Sequence, residues 1–197
     1  MPAAVLDTQR YILKPLRIWD CDRPVQVSAA YLCTTAERAR DMRQLPVYIL
    51  NHTQHEPRQR STQASLNELE AATDRVARMM WDGSGLGPQD VDICNPYDGY
   101  AIMPQFWLEA FQWHGVQRGE AFAFYAGDIS VGGPQPFNSS GGNLGNRQTR
   151  TAMWTDSIEQ LRGTAGLRQV RVRAEIALAG FGPPLGGGWI IFGKESA

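Results

Sequence analysis

Asp92-Ile93-Cys94-Asn95-Pro96-Tyr97-Asp98-Gly99-Tyr100 reads as a short apolar strand running into a turn with a tyrosine and an aspartate at its tip. The aromatic-rich run that follows, through Met103, Phe106, Trp107, Ala110, Phe111 and Trp113, predicts a helix. Strand, polar turn and helix in that order are the repeating unit of an α/β fold. The turn's polar groups would then lie at a helix N-terminus, where backbone N–H groups and the helix dipole favour negative charge.

Working back from that stretch, Ser65 and Glu68 have capping-box spacing, and Leu66, Leu69, Thr73, Val76 and Met80 recur at steps of three and four. They predict an amphipathic helix over residues 65–82, with Met79, Met80 and Trp81 in the core and Gly83, Gly85, Gly87 and Pro88 ending it. Before it, residues 47–50 read as a strand and 51–63 as a polar surface loop, on which His52 and His55 are solvated rather than metal-binding. Thr34 and Glu37 predict a short helix over 36–43, and the apolar, β-branched run 26–33 a buried strand. Residues 1–26 mix Pro2, Pro15 and Pro24 with Tyr11, Ile12, Leu13, Leu16, Ile18 and Trp19 and show no period. Such a segment reads as an irregular arm, and its apolar surface predicts packing on a partner chain. Residues 27–197 form the remaining domain.

Working forward, residues 129–131 read as a short strand. Phe137-Asn138-Ser139-Ser140-Gly141-Gly142-Asn143-Leu144-Gly145 is a glycine-rich loop feeding a helix over 149–161, and such a loop lets backbone N–H groups approach a ligand. It lacks the Gly-Lys-Ser/Thr ending of a P-loop and the spacing of a dinucleotide fingerprint. Residues 170–179 alternate and 188–192 are apolar, so they predict adjacent strands joined by the glycine- and proline-rich loop 180–187. The turn at Tyr97-Asp98 and this loop are the two places where chemistry is expected, while His114 reads as a packed or rim histidine.

Composition adds bounds. A hydrophobic content of 43%, a charged content of 20% and a net charge of −1 fit a folded soluble protein and give no electrostatic case for nucleic acid or an anionic membrane. Cys21, Cys33 and Cys94 are odd in number and widely spaced, which predicts neither a disulfide framework nor a zinc site, and points to a reducing cytoplasm. No apolar run reaches the ~20 residues of a spanning helix and the N-terminus has no leader pattern, so an unprocessed, soluble chain is expected.

The run Ser84-Gly85-Leu86-Gly87-Pro88-Gln89-Asp90-Val91-Asp92, then Tyr97-Asp98-Gly99-Tyr100, Asn138-Ser139-Ser140-Gly141-Gly142 and Gln160-Leu161-Arg162-Gly163 together resemble the thiolase superfamily. Within it the likeness is to the sterol-carrier-protein thiolase and lipid-transfer-protein-like branch, which includes retro-aldolases of steroid side-chain degradation. Thr34-Thr35-Ala36-Glu37-Arg38-Ala39-Arg40-Asp41 resembles the end of that family's N-terminal half, so the likeness covers the C-terminal half only. It implies a thiolase-like α/β half with a mixed five-stranded sheet and helices on both faces. The half that carries the nucleophilic cysteine of thiolases would come from a separate polypeptide. The resemblance further implies an OB-fold and zinc-ribbon acyl-CoA-associated partner, a dimer of such heteromers, and no cofactor beyond the coenzyme A of the substrate.

Residue by residue, Tyr97-Asp98 stands where thiolases have an asparagine or histidine followed by an acidic residue, and tyrosine there is what the retro-aldolase branch shows. Arg147-Gln148-Thr149 stands where they have Gly-His-Pro, and Gly180-Phe181-Gly182-Pro183 where they have a cysteine, so Claisen condensation is not implied. Tyr97 and Asp98 are the expected catalytic pair, with Tyr97 moving a proton if its pKa, near 10 when unperturbed, is lowered by its surroundings. Asn138, Ser140, Gly141, Gly142, Gln148, Phe181 and Gly182 are the expected substrate contacts, the amides of Gly141 and Gly142 acting as donors to an enolate. Related aldolases use a second tyrosine in the last loop, where Phe181 brings no hydroxyl. Three readings remain open at this point: a retro-aldolase subunit for a β-hydroxyacyl-CoA, a non-catalytic half that binds acyl-CoA or stabilises a partner, and an acyltransferase whose cysteine is the partner's.

Overall fold

The computed structural model describes residues 8–54, 64–146 and 151–196. The arm begins as a small antiparallel hairpin, β1 (Tyr11–Leu13) and β2 (Leu16–Arg17), followed by a 3-10 turn over Ile18–Asp20. Its end is fastened to the central turn: Asp22 N–H donates to Gly99 O at 3.0 Å and Ala101 N–H to Asp20 O at 2.9 Å, with Cys21 bridging Tyr100. Residues 26–33 form no strand, and Leu32 is 79% exposed, so the buried strand expected there is absent. The segment is apolar through Val27, Ala29, Ala30, Tyr31 and Leu32, but among the described residues no neighbour supplies a ladder. Helix α1 (Ala36–Arg40) follows, shorter than expected and capped by Thr35 rather than Thr34.

The main sheet has four strands in the order β3 (Tyr48–Gln54), β6 (Gly188–Gly193), β5 (Ile176–Phe181), β4 (Ile93–Asn95). β4 and β5 are parallel and the other pairs antiparallel, with Cys94 opposite Leu178 and Leu178 opposite Ile191. The sheet has four strands among the described residues where five were expected, with one isolated bridge, Cys94 to Phe137, beyond β4, and Asn138 following at φ 56°. Residues 129–131 are a turn. β5 starts only at Ile176, because Asp92 takes the N–H groups of Glu175 and Ile176 at 2.8 and 2.9 Å in place of a longer ladder. β3 runs on through Gln54, so the loop expected over 51–63 begins later and His52 lies on an edge strand opposite Ile190; His55 falls outside the described residues.

Alternating residues of β5 and β6 face two apolar clusters. On one side Leu178, Trp189 and Ile191 meet Val76 and Met80 of α2 (Leu66–Ser84) and Trp107, Leu108 and Phe111 of α3 (Met103–Phe111). Short α4 (Ala121–Phe124) adds Phe124 to that side. On the other side Ala177, Ala179 and Phe192 meet Met153 and Leu161 of α6 (Ala152–Arg162). Between α4 and α6 lies α5 (Gly142–Asn146), a helix inside the glycine-rich loop that the sequence did not predict. α2 carries the expected Ser65–Glu68 capping box and ends on Gly85 at φ 69°. Met79, expected in the core, is 48% exposed. No helix among the described residues is long and apolar enough to cross a membrane.

Candidate active site

β4 ends at Asn95 because Pro96 has no N–H to offer the ladder. Tyr97 then lies in the apolar cluster with Ile93 and Met153, only 6% exposed, its hydroxyl over Gly99 where any Cβ would overlap it. The helix that follows does not present its N-terminus to this turn, since α3 begins only at Met103 and without a side-chain cap.

Asp98, 2% exposed, instead ties the turn to the glycine-rich loop. Its carboxylate accepts from Asn143 N–H at 2.5 Å, Asn138 Nδ2 at 3.0 Å and Leu144 N–H at 3.3 Å. Burial pushes its carboxyl above the usual aspartate range, against the pull of these donors. Gly142, at φ 54°, passes so close to Asp98 and Asn138 that a side chain would overlap both.

The loop's amides are already engaged. Gly141 N–H donates to Asn138 O at 2.8 Å and Gly142 N–H to Ser140 Oγ at 3.0 Å, while Ser140 Oγ donates to Asn138 Oδ1 at 3.1 Å. An oxyanion would have to displace these partners, which is a cost the sequence could not reveal. Phe181 closes β5 edge-to-face against Trp154, centroids 5.2 Å apart, and Gly182 turns at φ 79° beside Gly187. Gln148 lies outside the described residues. Tyr97, Asp98, Asn138, Ser140, Gly141 and Gly142 are therefore brought together through Asp98, whereas the contact shown for the Phe181 ring is with Trp154.

Five polar residues beside the loop escaped the sequence reading. Asn95, Asp156, Ser157 and Gln160 are each 2% exposed or less, and Arg168 reaches Asp156 from the surface. Their signal was present: Asp156 and Gln160 are four apart on the inward face of a helix whose other inward residues are Met153, Ser157 and Leu161. Beyond Trp154, the arm's Tyr31 shares a hydrogen bond with Thr155 Oγ1 at 2.9 Å and sets its ring 6.1 Å from the indole. Between the arm and α6 lies a groove of about 1670 Å³, lined in part by Leu32, Ile49, Trp154 and Ile158. Among the described residues no three His, Cys, Asp or Glu side chains gather as metal ligands would.

Residues 53–184 match the thiolase C-terminal domain-like family. The chain belongs to that family. It is 34% identical over 194 residues to the 17-hydroxy-3-oxo-4-pregnene-20-carboxyl-CoA lyase of Mycobacterium tuberculosis, a match covering 94% of this chain and 50% of that protein. It is 28% identical over 194 residues to the steroid side-chain-cleaving aldolase of Thermomonospora curvata, covering 94% and 48%. The solved Ltp2-ChsH2(DUF35) aldolase superposes with a TM-score of 0.80 at 23% identity, over 98% of this chain and 51% of that one, which shows the shared fold. The chain thus spans about half the length of the curated relatives it matches, and as the motifs implied, the family part is a thiolase-like C-terminal half.

Proposed function

We propose that this chain is the C-terminal half of a heteromeric thiolase-like lyase that cleaves a β-hydroxyacyl-CoA, such as a steroid side-chain intermediate, by a retro-aldol reaction. The observation that carries the reading is the bond set of Asp98, which fixes the turn bearing Tyr97 against the glycine-rich loop. The names of the lyase and aldolase relatives support the choice of chemistry. In such a cleavage a base takes the β-hydroxyl proton, the Cα–Cβ bond breaks, and its electron pair passes into the thioester as an enolate. The β-carbon leaves as a ketone, and a proton returned to Cα gives the shorter acyl-CoA. Tyr97 would move the proton, Asp98 would hold the turn, and Asn138, Ser140, Gly141, Gly142, Gln148, Phe181 and Gly182 would line the thioester. No cofactor beyond coenzyme A enters this scheme.

The partners in this reading are an N-terminal-half polypeptide, seated in the groove between the arm and α6, and an OB-fold and zinc-ribbon acyl-CoA-associated protein. Two such heteromers would pair, with residues 1–26 against a neighbouring chain. The groove leaves Leu32, Ile49 and Met42 at 79%, 52% and 40% exposure, apolar surface that a covering polypeptide would bury. Native mass spectrometry of the purified assembly tests this, and a stable monodisperse monomer would overturn it.

A second reading has observations of its own. Tyr97 is nearly covered, the loop amides are occupied, and Phe181 has no hydroxyl, all of which favour a non-catalytic half that stabilises an active partner. One assay separates the two. The complex is supplied with a tertiary β-hydroxyacyl-CoA, and ketone and short acyl-CoA are measured. The catalytic reading expects Tyr97→Phe to lower kcat by about 100-fold or more, as loss of a general acid–base group does; equal rates would remove Tyr97 from the chemistry.

A further inference from the structure

The hydrogen bonds that leave Asp98 do not stop at the glycine-rich loop. Asp156, one turn into α6 and 2% exposed, is met by Ser139 Oγ at 2.6 Å, Asn95 Nδ2 at 3.2 Å, Gln160 Nε2 at 3.3 Å and the guanidinium of Arg168. Asn95 Oδ1 in turn accepts from Ser140 N–H at 3.3 Å. A path therefore runs from Arg168, 46% exposed, through Asp156, Asn95, Ser140 and Asn138 to Asp98.

A buried carboxylate is tolerated only where donors and a counter-charge reach it. Arg168 supplies the charge from outside, Gln160 donates from α6 itself, and two further buried donors come from other elements, Ser139 of the loop and Asn95 at the end of β4. Shifting Ser139 or Asn95 would leave the carboxylate short of partners, so its demand for donors fixes both. We propose that Asp156 is the positioning residue of the glycine-rich loop: it holds Ser139 against α6 and, through Asn95 and Ser140, sets where Asn138 stands against Asp98. Its consequence for catalysis rests on the acyl-CoA reading above; the geometric claim does not.

Amide hydrogen exchange and 1H–15N spectra of the full chain test it without any substrate. In Asp156→Asn the amides of Gly142, Asn143 and Leu144 should exchange about tenfold faster relative to those of Ala177 and Leu178 in β5, as loss of a hydrogen bond to a charged group implies. The Ser140 and Gly142 resonances should move with them. Ser139→Ala, a small change, should do the same and decides the matter if Asp156→Asn does not fold. Glu159→Gln breaks the other ion pair of Arg168, 2.6 Å long, and should leave the loop unchanged. Loop amides that exchange at the wild-type rate, or that quicken only in step with β5, would overturn the proposal. A loop that loosens in a complex inactive on β-hydroxyacyl-CoA would keep it and sink the acyl-CoA reading alone.

Discussion

The two sides of α6 are built to opposite rules. Toward the sheet and the glycine-rich loop, Asp156, Ser157 and Gln160 are buried and each has partners within the chain. Toward the arm, Trp154, Thr155 and Ile158 line a groove of about 1670 Å³ spanned by few contacts, chiefly Tyr31 to Thr155 and Arg162 Nε to Leu45 O at 2.7 Å. Buried polar groups that are fully satisfied specify a geometry, whereas open apolar surface specifies a need for a cover. The seam is held by bonds within this chain, and the groove, which reaches it at Ser140, Asp156 and Arg168, is where open apolar surface calls for another.

The sharpest way to break the comparison is to open the seam. Asp98→Ala leaves Asn138 Nδ2 and the amides of Asn143 and Leu144 buried without their acceptor, and should cost about 3 kcal/mol in urea unfolding. The sign of its pH dependence follows from the raised carboxyl. The folded chain holds the proton more tightly than the unfolded one, where the group titrates near 3.8, so its contribution is full below that value and is lost as pH rises through the folded-state pKa. The stability gap between wild type and Asp98→Ala should narrow as pH rises above about 3.8. A gap that widens would mean that the three donors outweigh burial.

The same contrast explains what the sequence could convey. α2 was legible because Ser65, Glu68 and Gly85 mark its ends and Val76 and Met80 its buried face, and the β5–β6 pair because alternation and a glycine-rich connection are local signals. Residues 26–33 misled because an apolar run implies a strand only where a ladder exists, and among the described residues none exists here. The bridge of Phe137 to Cys94 does not grow into a further strand, for a backbone reason, Asn138 at φ 56°. Tyr97 and Asp98 were found as a pair. That Asp98 serves α5, 44 residues further on at Gly142, rather than the helix that follows it, is a non-local fact that spacing cannot carry.

A milder change probes the groove's own fastening. Tyr31→Phe removes the bond to Thr155 Oγ1 and the donation to Thr151 O at 3.3 Å while keeping the ring beside Trp154. A single partly exposed hydrogen bond is worth about 1 kcal/mol or less, so global unfolding should move by no more than that. Proteolysis within residues 26–35 should quicken, because local opening of the arm depends on few other contacts. If the arm resists cleavage as before, the groove is closed by packing and the contrast with the seam weakens.

The smallest expected effect on stability is the most informative about function. Leu32 is 79% exposed, so Leu32→Ser removes no burial from the isolated chain and should change its unfolding by about 0.5 kcal/mol or less. In a complex that covers the groove the same side chain would be buried, and its loss should then weaken association by about 10-fold or more. Paired measurement, urea unfolding of the chain alone and titration against the partner polypeptide, separates a surface kept apolar for a partner from one that is apolar by chance. A variant that destabilises the lone chain instead would show that Leu32 already packs within it, and the groove would then belong to the finished part of the fold.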